Sequence, residues 1–133
     1  EIVRRLGLFR PSFQAPAGFY DDRFGEALRL FDAIVGRAGH AVESAGATFE
    51  LALLPGRSFV EDPGGYSAQY QEYLRQQLIQ RAAAHEIVVH DLALPLRDRF
   101  EAESAALYHP HDGHLNRRGH GEVARVLQQS LWP

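Results

Sequence analysis

The densest group of titratable side chains in this chain lies between His109 and Asn116. Four of the seven histidines stand at positions 109, 111, 114 and 120. Imidazole titrates near neutral pH and is the usual general base, and a nearby carboxylate can fix its tautomer and stabilise its cation. Asp112 and His114 stand on either side of Gly113, whose lack of a Cβ permits a tight turn. This spacing predicts Asp112 and His114 as an acid–base pair.

Two other interpretations of the same stretch stay open. In the first, it is a solvated turn in which Asp112 only accepts hydrogen bonds from backbone N–H groups. In the second, His109 and His111 with Asp112 and His114 bind a metal, because they come close to the His-x-His-x-Asp-His signature of metallo-β-lactamase-like hydrolases. The aspartate stands one residue early for that signature, and zinc needs three or four ligands in fixed geometry, so the metal site is the weaker alternative.

A hydroxyl nucleophile is harder to find. No serine lies in a Gly-x-Ser-x-Gly elbow or a Gly-Asp-Ser turn. Ser58 follows the first predicted strand, but its setting, Pro-Gly-Arg-Ser-Phe, is more typical of a plain loop. His90 and Asp91 end the second predicted strand and are interpreted as a satisfied strand-end pair.

The elements that must position these residues follow an alternating order. Apolar residues at three- and four-residue steps predict a first helix from Glu26 to near Gly46, with Leu28, Phe31, Ile34, Val35, Ala38 and Val42 on its inner face. The remaining predicted elements are a buried strand over 47–54, a Gly/Pro-rich loop through 65, a helix over 67–84, a strand over 86–90, a short helix over 92–103 and a last helix capped by Asn116.

Two strands joined by a helix predict a βαβ unit and therefore a parallel sheet. In such sheets ligands bind beyond the carboxyl ends of the strands. We therefore expect chemistry at the loops after Leu54 and His90 and at the segment before the last helix. A doubly wound domain usually has more strands than two, so the pattern indicates part of a fold.

Composition limits the remaining classes of protein. The chain has 133 residues, enough for one domain, and no cysteine, which excludes disulfides and thiolate chemistry. Its net charge of -3 argues against a nucleic-acid partner, and every basic residue is arginine. No apolar run is long enough for a membrane span, and Glu1–Arg5 does not begin a signal peptide. Cellular location stays open.

The C-terminal block, Tyr108 to Leu131, resembles that of the SGNH (GDSL-type) hydrolases. The similarity rests on Asp112-Gly113-His114-Leu115-Asn116, followed by Gly119-His120 and Val123-Ala124. The upstream order of elements is also similar: a helix, a strand ending in Leu-Leu-Pro, a second helix, and a strand ending in Asp-Leu. The resemblance covers residues 26–131 and is most specific in the C-terminal block.

This resemblance implies an α/β/α three-layer sandwich with a flavodoxin-like parallel sheet, and a Ser-His-Asp esterase that needs no cofactor. It implies that His114 is the general base and Asp112 its orienting carboxylate, with Asn116 and His120 in structural positions of the last helix. The spacing departs from the commoner Asp-x-x-His of the family, which keeps His111 as a fallback base.

The family's nucleophile turn is absent from this sequence. The chain is therefore expected to be a single domain or the C-terminal part of one, inactive by itself, whose partner is an N-terminal half in the same or a separate chain. The expected substrate is a small-molecule, glycan or lipid acyl ester, by hydrolysis or O-acyl transfer. The alternatives are a non-catalytic interaction module that keeps the fold and, third, a metal-dependent hydrolase.

Overall fold

The structure is a computed structural model that describes residues 22–131. This part of the chain is mixed α/β, mostly helical, with a small parallel sheet. In chain order the elements are α1 (Asp22–Ser44), β1 (Glu50–Leu53), α2 (Arg57–Glu61), α3 (Tyr66–Ala84), β2 (Val88–Asp91), α4 (Ala93–Glu103) and α5 (Arg117–Leu131). The segment Glu1–Arg5, discussed above for targeting, lies outside the described residues.

Helix α1 ends where its sequence predicts. Gly46 adopts a left-handed φ of 77°, and its N–H donates to the Glu43 carbonyl while the N–H of Ala47 donates to the Val42 carbonyl. This pair of bonds is a Schellman motif, which satisfies carbonyls that a helix end leaves unpaired. On the inner face Leu28 and Val35 are buried, whereas the predicted inner residue Ile34 is exposed.

The two strands pair in parallel, as the βαβ pattern predicts. Their register sets Glu50 beside Val88 and Ala52 beside His90. The expectation of a buried first strand is wrong: the strand is shorter than predicted, and Glu50 and Ala52 are exposed. Within residues 22–131 the sheet has two strands, so each is an edge strand.

Two apolar clusters hold the elements together. The first joins α2 and α4 to the segment before α5, with Phe59, Val60, Leu92, Leu96 and Leu107 at its centre. The second packs α1 and α3 on the sheet face that carries Leu51 and Val89. The first cluster matters for function because it ends at Leu107 and Tyr108, where the histidine-rich stretch begins.

The short helix α2 lies in a region that the sequence analysis assigned to a loop. Its five residues follow Pro55 and Gly56, and a helix this short has little intrinsic stability. It forms because Phe59 and Val60 are buried in the first cluster. None of the helices in the described part of the chain is long and apolar enough to cross a membrane.

Candidate active site

The segment His109–His114, here called the histidine loop, is fastened to the loop that follows β1. The Tyr108 hydroxyl donates to the Pro55 carbonyl at 2.7 Å. The Arg57 guanidinium donates to the Pro110 carbonyl. Since Pro55 comes two residues after the carboxyl end of β1, the histidine loop lies at the sheet edge where ligands bind in parallel α/β proteins.

Glu61 of α2 fixes the start of this loop. One of its carboxylate oxygens accepts the backbone N–H groups of Leu107 at 3.0 Å and Tyr108 at 3.2 Å. Both of these residues are buried, so the two N–H groups need a protein acceptor. Burial and, secondarily, the Glu61 charge raise the pKa of Tyr108, so its hydroxyl stays protonated and donates to Pro55.

Asn116 fixes the other end of the loop, as its predicted capping role requires. Its Oδ1 accepts the N–H of Gly119 at 3.0 Å, which caps α5. Its Nδ2 donates to the carbonyls of Ala106 at 2.9 Å and Tyr108 at 3.3 Å. Gly119 is buried against the chain, and a Cβ there would collide with the Leu107 carbonyl oxygen. The Asn116 and Gly119 positions of the C-terminal block are therefore structural.

Between these anchors the loop folds back on itself. Tyr108 and Leu115 form an antiparallel bridge, and the His109 N–H donates to the His114 carbonyl at 2.7 Å. Gly113, at the turn, has a φ of 73°, in the left-handed region that favours glycine. The backbone of the histidine loop is thus defined by hydrogen bonds within the loop and at both of its ends.

The predicted pair, Asp112 and His114, is brought together at the tip of this loop. Asp112 Oδ1 accepts the backbone N–H of His114 at 2.9 Å and lies 3.4 Å from Nδ1 of its imidazole. The hydrogen bond from that N–H, and then the nearby imidazoles of His114 and His109, hold the pKa of Asp112 below its ordinary value. The first of the open interpretations, a carboxylate that accepts a backbone N–H, is therefore part of the observed geometry.

Both side chains of the pair face solvent. The exposed fraction is 83% for the His114 side chain and 57% for that of Asp112. Among the described residues no hydroxyl is hydrogen-bonded to His114. The fallback base, His111, is also exposed, as is His120. The loop therefore presents a carboxylate and an imidazole without a nucleophile.

Ser58 is engaged elsewhere. Its Oγ lies 2.9 Å from Ser67 Oγ and accepts the side-chain amide of Gln71 at 2.7 Å. This network ties α2 to α3, and it contains no base. The expectation that Ser58 lies in a plain loop is wrong: it lies in the short helix α2, where it contacts Ser67 and Gln71.

A small cavity of about 100 Å³ opens at the carboxyl end of β1. Its wall is mainly apolar, and Pro55, which accepts the Tyr108 hydrogen bond, belongs to it. Arg75 also lines the cavity, but its guanidinium pairs with Glu72 and Asp91. The remaining lining residues are Leu53, Leu54, Phe59, Gln71, Leu74, Leu78 and Ala93. Neither Asp112 nor His114 lines the cavity.

A second group of polar side chains was not found by sequence reasoning. His90 does not pair with Asp91, because neighbouring strand residues point to opposite faces of the sheet. Asp91 pairs with Arg75 and caps the N–H of Ala93 at 3.1 Å. The His90 ring instead bonds to Glu50 and Ser130, each at 2.5 Å. Only the strand register, which sequence alone does not give, could have revealed this group.

Comparisons with known proteins leave the resemblance without independent support. No protein-family model matches the chain, and no curated protein or solved structure is significantly similar to it. Within residues 22–131 there is also no group of three or more His, Cys, Asp or Glu side chains arranged to hold a metal ion.

Proposed function

We propose that Asp112 and His114 are the acid–base part of a serine acyl hydrolase of the SGNH type. The serine would come from an N-terminal half, in the same or a separate chain. The observation that carries the proposal is the position of the histidine loop, which Tyr108 and Arg57 fasten to the carboxyl end of β1 with its imidazole open to an incoming group.

The geometry of the pair suits these roles. Asp112 lies on the Nδ1 side of the His114 ring, which leaves Nε2 to accept the proton of a serine hydroxyl. As the hydroxyl attacks the ester carbonyl, the imidazole would become a cation and Asp112 would stabilise it. Nδ1 and Oδ1 are 3.4 Å apart, so the pair must close by a few tenths of an ångström to form a short hydrogen bond, as catalytic pairs often do on binding substrate.

The cavity beside Pro55 supports an ester with an apolar acyl group as the substrate. Its lining is mainly aliphatic, and its arginine is already paired. A small-molecule, glycan or lipid acyl ester would fit this chemistry. The mechanism that we propose uses no cofactor.

The finer architecture is part of the same proposal. Further parallel strands beside β1 would extend the sheet into a flavodoxin-like α/β/α sandwich. A strand of that kind would end at the same sheet edge as β1, so a serine placed after it would approach the histidine loop.

A non-catalytic interaction module is the second candidate. It is favoured by the exposed Leu30 and Ile34, one turn apart on α1, with exposed fractions of 60% and 58%. Single exposed apolar residues are common, but adjacent ones on a helix often mark a contact surface. This candidate predicts partner binding that does not depend on His114.

The decisive experiment removes the base. In the protein that includes the serine-bearing segment, His114→Ala should abolish nearly all hydrolysis of p-nitrophenyl acetate, because triad members are worth several orders of magnitude. His111→Ala is the matched control, since it removes an exposed imidazole from the same loop. It should leave the rate close to that of the wild type.

The outcomes separate the candidates. If His114→Ala keeps more than about a tenth of the rate, His114 is not the base. Loss of activity in His111→Ala alone would assign the base to His111.

A further inference from the structure

The side chains of Glu50, His90 and Ser130 form a continuous chain of hydrogen bonds. His90 Nε2 lies 2.5 Å from Glu50 Oε2, and His90 Nδ1 lies 2.5 Å from Ser130 Oγ. A carboxylate, an imidazole and a hydroxyl in this order are the parts of an activated nucleophile. This group is separate from the histidine loop.

The fold explains why these three residues meet. Ala52 pairs with His90 in the parallel register, so the two side chains share a face of the sheet. Glu50, two residues before Ala52, shares that face too, because side chains alternate along a strand. Ser130 reaches the same face from the last turn of α5.

When the His90 ring is neutral, its two partners set the direction of each hydrogen bond. An ionised carboxylate can only accept, so Nε2 carries the ring proton and donates to Glu50. Nδ1 is then an acceptor, and the Ser130 hydroxyl donates to it. The imidazole is therefore oriented to remove the proton of Ser130.

The burial of His90 also favours its role as the base for Ser130. Only 10% of the His90 side chain is exposed, whereas Ser130 is exposed. The base is thus held in one orientation, while the hydroxyl stays open to a reagent. In a wholly solvated pair, by contrast, side-chain freedom weakens such an alignment.

We propose that Ser130 is a base-activated hydroxyl that reacts with activated acyl or phosphonyl donors. With a fluorophosphonate, the Ser130 Oγ–phosphorus bond forms, the phosphorus–fluorine bond breaks, fluoride leaves and the hydroxyl proton moves to His90 Nδ1. With an activated ester, Oγ bonds to the acyl carbon and the released alcohol takes up the proton. Backbone N–H groups in the last turn of a helix donate within the helix, so we expect stoichiometric modification rather than rapid turnover.

The test is labelling of the 133-residue chain with a fluorophosphonate probe at about pH 8, followed by peptide mapping by mass spectrometry. Ser44 is the internal reference, because it is an exposed serine that also ends a helix. Ser130 should be labelled roughly 100-fold faster than Ser44, the usual contribution of a positioned base. Concentrated urea should reduce this ratio to about one, since unfolding removes the base.

Two variants identify the source of the reactivity. His90→Gln keeps a polar side chain but removes the base, so the Ser130 to Ser44 ratio should fall close to that of the unfolded chain. Glu50→Gln keeps an acceptor for Nε2–H and removes the charge, so the ratio should fall by about tenfold or more. Circular dichroism establishes that both variants are folded.

Equal labelling of Ser130 and Ser44 in the folded wild type would overturn the proposal. So would a ratio that is unchanged in folded His90→Gln. Neither result depends on His114, so the proposed esterase role and the reactivity of Ser130 succeed or fail separately.

Discussion

Two of the carboxylate–imidazole pairs in the described part of the chain, Asp112–His114 and Glu50–His90, differ in almost every physical respect. Asp112 and His114 are close in sequence, 3.4 Å apart at the nearest side-chain atoms, and the imidazole is 83% exposed. Glu50 and His90 lie 40 residues apart in sequence, bond at 2.5 Å, and the imidazole is 10% exposed. The first pair is close because its residues are two positions apart in the same loop. The second pair is close because the register of β1 and β2 brings Glu50 and His90 to the same face of the sheet.

Exposure and hydrogen bonding determine what chemistry each pair is suited for. A loop pair at the carboxyl edge of a sheet can meet a group from another segment, but solvent competes for its hydrogen bonds. The imidazole of the sheet pair is held in one orientation and is already hydrogen-bonded to the Ser130 hydroxyl. Neither Glu50 nor His90, however, lines the cavity described above. Helix α5 connects the two pairs, because Asn116 and Gly119 at its start anchor the histidine loop and Ser130 is in its last turn.

The largest expected effect comes from disturbing α5. Gly119→Ala would place a Cβ against the Leu107 carbonyl oxygen, so the helix or the loop anchor must move. We expect a loss of about 3 kcal/mol in the free energy of unfolding, as for severe overpacking. Urea unfolding followed by circular dichroism measures it. Because α5 serves both pairs, labelling of Ser130 should fall as well.

Gly121→Ala is the matched control in the same helix. A Cβ at Gly121 meets nothing within 4 Å, and alanine favours helix over glycine. This variant should be as stable as the wild type or more stable by up to about 1 kcal/mol. If both variants lose stability equally, the close approach of α5 to Leu107 is not what matters.

The features that the sequence predicted correctly depend on residues close together in the chain. Asn116 and Gly46 were correctly predicted because capping and left-handed turns depend on a few neighbouring residues. Apart from α2, the order of helices and strands and the parallel pairing followed from the spacing of apolar residues.

What the sequence could not predict depends on distant contacts. Helix α2 forms because Phe59 and Val60 find a cluster made by other elements. The bonds of His90 depend on which residue of β1 stands beside it. A shift of the register by one residue would move Glu50 to the opposite face and Leu51 out of the second cluster, so the register depends on the packing of distant helices on the sheet.

A smaller effect separates the loop pair from the sheet pair. Glu61→Ala would leave the buried N–H groups of Leu107 and Tyr108 without an acceptor. We expect the free energy of unfolding to fall by about 2 kcal/mol, the usual cost of unpaired buried groups. Hydrogen exchange at the His109 amide, which donates to His114, should accelerate. Labelling of Ser130 should not change under conditions where the variant is folded.

Glu61→Gln tests whether the acceptor or the charge matters. Its side-chain oxygen can still accept both N–H groups, so it should lose clearly less stability than Glu61→Ala. If the two variants are equally unstable, the charge beside Arg57, 3.4 Å away, is the larger contribution. If Glu61→Ala slows the labelling of Ser130, the two pairs are not independent.

The smallest expected effect is the acid transition of the loop pair alone. The pKa of Asp112 lies below its ordinary value, chiefly because its carboxylate accepts the His114 N–H. A lowered pKa means that this hydrogen bond contributes fully above pH 3.8, the ordinary value, and is lost as the pH falls through the lowered pKa. The NMR shift of the His114 amide proton should therefore titrate in acid. Because both side chains are exposed, the change should stay local and leave the global unfolding curve almost unaffected.

Asp112→Asn makes the test specific. The amide oxygen still accepts the His114 N–H, so the turn should form, but without a group that titrates in acid. In Asp112→Ala, the chemical shift of the His114 amide proton should be that of an amide without this hydrogen bond at every pH. An acid shift of the His114 amide that persists in Asp112→Asn would show that another group controls the loop. In that event the Asp112 carboxylate would not be coupled to His114, and the two residues would not act together as an acid–base pair.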